Sequence, residues 1–91
     1  MLSTLNEHKN KYFMDTKIHI GTEILKELKN QKRSVSWLAD EIGHDQSYLN
    51  KLVRKAHLKP ELLFSISIAL KKNFFESYYY SLSAILLDRV H

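Results

Sequence analysis

The same apolar spacing occurs twice in this chain, once on each side of a single glycine. Val35, Leu38, Ala39 and Ile42 fall at i, i+3, i+4 and i+7, and Leu49, Leu52, Val53 and Ala56 repeat the template after Gly43. That is the spacing of one buried face of an α-helix, so it predicts two short helices meeting at a tight turn. Ser34 stands where a hydroxyl can accept from an early amide of the first of them. Gly43 suits the left-handed residue just past a helix end, which only glycine adopts without steric cost. Asp45 is then expected to cap the second helix, which runs to about Lys55.

The rest of the chain reads as further helices. A first helix is predicted from about Thr22 to Gln31, with Ile24, Leu25 and Leu28 inward and Ile18 and Ile20 beneath its start. Pro60 opens a fourth, since its missing N–H costs nothing in a first turn. Leu62, Leu63, Ile66, Ala69 and Leu70 form the inward stripe of that helix. Asn73 is expected to cap a fifth over 74–90, whose aromatic and aliphatic content exceeds that of a solvated helix. That helix either completes the core or meets a second copy of the chain. Residues 1–17 are polar and without period, and read as a flexible N-terminal arm. With one proline and two glycines and no alternating stretch, the expected fold is all-α, a compact bundle of about five helices occupying 18–91.

A chain of 91 residues makes one domain with a small core, which favours a binding module over an enzyme with a deep cleft for a small-molecule substrate. The lack of cysteine excludes disulfides and thiolate metal sites and accords with a cytoplasmic protein. The longest apolar run, Ala84 to Leu87, is four residues, so neither a membrane span nor a signal peptide is expected. The net charge of +4 is unevenly placed: no acid lies between Asp45 and Glu61, whereas Lys51, Arg54, Lys55 and Lys59 do. The face of the third helix turned from the core carries Gln46, Ser47, Asn50, Lys51 and Arg54. These are donors and acceptors suited to the edges of base pairs.

Catalytic and metal-binding readings find little support. His44, Asp45 and Ser47 are neighbours on a turn, which does not build a nucleophile, base and orienting acid in hydrogen-bonded sequence. Asp40 and Glu41 are adjacent on a helix and diverge by about 100°. His8, His19, His44, His57 and His91 share no metal-ligand spacing. No enzyme activity, cofactor or metal is expected.

On these residues the segment from about Ile20 to Tyr78 resembles the helix-turn-helix of the phage repressor, Cro and xenobiotic-response-element type. Ala39 supplies the small residue where two helices cross closely and Gly43 the glycine of the turn. Val35, Leu38, Ile42, Leu49 and Leu52 supply the bracketing apolar positions, and the Leu62 to Leu70 stripe the completing helix. The resemblance implies a DNA-binding transcriptional regulator whose recognition helix, about 45–55, lies in the major groove of double-stranded DNA. Gln46, Ser47 and Lys51 then face base edges, joined by Asn50 on the same helical face. Ser34 resembles part of the family's phosphate clamp. Arg54, Lys55 and Lys59 are expected along the backbone. One such helix reads half a site, so a homodimer is expected, with half-sites one duplex turn, roughly 34 to 36 Å, apart. Val35 departs from the glutamine that members often carry as a phosphate ligand. The alternative reading is a protein-interaction module, antitoxin-like or an adaptor, using the same basic face.

Overall fold

His19 starts the first helix, because its Nδ1 accepts the Thr22 amide at 3.1 Å, one of the four amides a helix leaves unpaired at its N-terminus. The computed structural model describes residues 17–90, with side chains to 88. Of the expected arm only Lys17 falls within it, and His91 lies outside. Among the described residues the helices are α1 (Ile20–Asn30), α2 (Val35–Ile42), α3 (Gln46–Leu52), α4 (Pro60–Leu70) and α5 (Glu76–Val90). No strand occurs among the described residues, and the protein is all-α as its pattern predicts.

The chain divides into two units, and α1 to α4 lie in the one spanning His19–Glu76. The core of that unit takes Ile20, Ile24 and Leu28 from α1, Leu38 and Ala39 from α2, and Leu49 and Leu52 from α3. Val53 follows, and Leu63, Ile66 and Leu70 from α4, with Phe74 beyond it, complete the set. Helix α2 is central, packing on both α3 and α4. Leu25, expected inward, is 42% exposed. Ile20, Ile24 and Leu28 already form the buried stripe at i, i+4 and i+8, and Leu25 sits about 100° from its centre. Val35, Ile42, Ala56, Leu62 and Ala69 lie half-buried at the margins of their stripes.

Three helices end by one device. Past α1, α2 and α4 the chain reverses through a left-handed residue: Lys32 (φ 57°), Gly43 (φ 73°) and Lys71 (φ 54°). In each case the following amide donates back five residues, Arg33 to Leu28 at 2.8 Å, His44 to Ala39 at 2.9 Å and Lys72 to Ser67 at 3.0 Å. The side chain of Gln31 adds a lock between elements, its Nε2 donating to Glu27 Oε2 and to the Leu70 carbonyl, each at 2.7 Å. The C-terminus of α1 is thereby tied to that of α4.

Three element boundaries differ from the sequence expectation. The first is that of α1, which begins at Ile20 instead of about Thr22 because His19 caps it and its first two amides pair with the Ala56 and Lys55 carbonyls. Helix α5 begins at Glu76, not Phe74, because Phe74 is buried in the core and its amide donates to Ser67 Oγ at 3.3 Å. Asn73 does cap, but it caps the intervening turn, with Oδ1 accepting from the Phe75 amide at 3.0 Å. Helix α3 stops at Leu52 instead of continuing to Lys55. The carbonyls of Lys55 and Ala56 accept from the first amides of α1, Gly21 at 2.9 Å and Ile20 at 2.8 Å, so the chain must leave the helical path to present them.

Helix α5, most of which belongs to the other unit, leaves Tyr79, Tyr80, Leu82, Leu86 and Leu87 more than half exposed. The rings of Tyr79 and Tyr80 meet edge-on at 5.3 Å. No helix among the described residues is long and apolar enough to cross a membrane.

Candidate nucleic-acid interface

The turn between α2 and α3 is three residues, Gly43 to Asp45, and it sets the exposed face of α3. Gly43 needs its positive φ to reverse the chain, while the space where a side chain would stand is open. Asp45 holds the N-cap position of α3 in extended conformation, but its carboxylate makes no capping hydrogen bond. His44 packs its ring against Tyr48, centroids 5.2 Å apart, one turn into α3.

With Leu49 and Leu52 buried, the opposite side of α3 is fixed by the 100° step of the helix. Gln46, Ser47, Asn50 and Lys51 occupy that side and all four are exposed. None of their side chains makes a hydrogen bond or ion pair with another described residue. The face is therefore a row of unspent donors and acceptors about 10 Å long, the span of some three base-pair steps.

The remaining sequence candidates are spread over the flanking segments. Arg54 and Lys55 are exposed but lie beyond the end of α3, on the segment whose carbonyls engage α1, so Arg54 is not the third member of a Gln46–Asn50 helical row. Lys59 is exposed at the N-cap position of α4. Ser34 caps α2 as expected, its Oγ accepting the Trp37 amide at 3.0 Å. That bond uses an acceptor lone pair and leaves the hydroxyl proton to be donated outward.

Two residues at this site, Arg33 and Gly21, lie outside the sequence expectation. The guanidinium of Arg33 lies over the Trp37 ring, 3.8 Å from its centroid, which fixes a cation one residue before the Ser34 cap. Its signal was the i, i+4 pairing of a cation with tryptophan. Gly21 is the second. A Cβ there would overlap the carbonyl of Val53 and stand 2.7 Å from the Lys55 carbonyl oxygen, so only glycine lets α1 approach the segment that follows α3. No local pattern announces such an approach, because its partner lies more than thirty residues away in the chain. Among the described residues there is no cluster of His, Asp and Glu that could hold a metal ion.

Comparison of the chain with protein-family models, curated proteins and solved structures returns no significant match.

Proposed function

We propose that this protein is a sequence-specific regulator of transcription that binds double-stranded DNA in the cytoplasm, with α3 in the major groove and α2 across the backbone. The observation that carries the reading is the outward face of α3. Four polar side chains of the kinds that read base edges stand exposed and without partners among the described residues. Gln46 reads adenine through N6 and N7, Lys51 reads guanine through O6 and N7, and Ser47 and Asn50 complete the contact. The acid-free stretch supports the same reading, since Arg54, Lys55 and Lys59 are exposed on the segments leaving α3. They neutralise phosphates while Ser34 donates its hydroxyl to one. The mode of action is occupancy of a site, without catalysis, by a protein of the helix-turn-helix type described above. Two copies reading two half-sites supply the affinity that one seven-residue helix lacks.

The salt dependence of binding to duplex DNA tests this. Three cations on phosphates, Arg54, Lys55 and Lys59, give log affinity against log salt a slope of about −2.7. A chain that ignores duplex DNA at low salt but binds an acidic polypeptide overturns the reading and leaves the interaction-module alternative standing.

A further inference from the structure

Helix α4 is apolar on two opposite faces, and only one of them is used within the unit. Leu63, Ile66 and Leu70 enter the core, while Phe64 and Ile68, on the other side, are 61% and 63% exposed. A helix that is apolar all round is normally covered all round. The exposed pair borders a shallow apolar groove of about 290 Å³ completed by Ser67, Lys72, Asn73 and Phe75. That volume falls at the floor of the range taken by small-molecule sites, and it suits an inserted side chain better than a ligand.

The charges at the ends of this stripe name its occupant. Glu61 lies on the same helical face one turn before Phe64, and Lys72 lines the far end of the groove. Neither has an ion-pair partner among the described residues. Read along the chain, the face runs acid, aromatic, aliphatic, base, and read backwards it is its own complement. A two-fold contact requires that property, because residue i must meet residue j while j meets i.

We infer that the outer face of α4 binds a second copy of this chain, the two helices lying antiparallel across a two-fold axis near Ile66. Phe64 of each copy seats against Ile68 and the groove of the other, and Glu61 of each pairs with Lys72 of the other. Any other partner would need to bring both a matching acid and a matching base, whereas a second copy brings both by symmetry. The inference rests on the DNA reading only for its use, which is to join two half-site readers, and the association itself needs no DNA.

Sedimentation equilibrium of the full chain without DNA, over a concentration series, tests it. Wild type is expected to dimerise, and Phe64→Glu to weaken the dimer at least about tenfold. Each symmetric interface holds the Glu61 pair twice, so Glu61→Lys alone and Lys72→Glu alone weaken it several-fold, roughly 3 to 10. The double variant Glu61→Lys with Lys72→Glu restores association to within about twofold of wild type, which no loss of folding can imitate. A wild type that is monomeric throughout, a Phe64→Glu dimer as tight as wild type, or a double charge variant no tighter than the singles overturns the inference. So does a dimer broken by Leu82→Glu and Leu86→Glu in α5 but not by the α4 changes. A dimer that binds no duplex leaves this inference standing and removes the DNA reading, and a monomer that binds duplex does the reverse.

Discussion

Gly21 donates its amide to the Lys55 carbonyl at 2.9 Å, and its α-carbon stands against Val53 with no room for a methyl group between them. This contact decides where α3 ends and holds the outgoing segment, with Arg54 and Lys55, on the N-terminus of α1. Gly21→Ala forces the two apart, with the cost of overpacking plus up to two weakened hydrogen bonds, about 2 to 4 kcal/mol in urea unfolding. Gly43→Ala, where space is open and only the left-handed backbone resists, is expected to cost less, about 1 to 2 kcal/mol. An alanine at 21 tolerated within about 0.5 kcal/mol would show that the approach is not fixed.

Lys32 takes a left-handed conformation that glycine adopts more cheaply, at φ 57° and on the surface. Lys32→Gly is therefore expected to stabilise the fold by up to about 1 kcal/mol, raising the melting temperature by roughly 4 to 8 °C. Thermal denaturation followed by circular dichroism checks it, and a lower midpoint contradicts it.

Ser34 has two roles that substitution separates. Ser34→Ala removes the cap on α2 and costs about 1 kcal/mol of stability, whereas Ser34→Gly costs only a few tenths. Both remove the hydroxyl that faces outward, so both are expected to weaken duplex binding by a similar factor. If Ser34→Gly binds duplex as wild type does, the hydroxyl makes no phosphate contact.

Gln46 and Lys55 are assigned different work, and titrations on preferred and scrambled duplexes distinguish them. Gln46→Ala should cost about 1 to 3 kcal/mol on the preferred site and relax discrimination, while Lys55→Ala weakens all duplexes alike and flattens the salt slope by about one unit. Identical behaviour of the two variants would remove Gln46 from base reading.

The order and type of the helices were legible because each carries its own apolar stripe at helical spacing, and Ser34, Gly43 and Pro60 mark ends by local chemistry. The boundaries that slipped depend on distant partners. Helix α3 stops at Leu52 because α1 claims the carbonyls of Lys55 and Ala56, and α5 starts late because Phe74 is drawn into the core. Lys32 and Lys71 end helices in a conformation their residue type does not advertise. The exposed row from Gln46 to Lys51 followed directly from the burial of Leu49 and Leu52. Phe64 and Ile68 were not legible as a separate face, since the stripe through Leu63, Ile66 and Leu70 accounts for the helix without them.

Selection of duplexes from a random pool at about physiological salt bears most directly on the reading of α3 as a base reader. An enriched sequence bound roughly 10³-fold or more above the unselected pool is expected, with two half-sites about one helical turn apart. A pool that stays random through successive rounds, with the bound fraction set by salt alone, would contradict it.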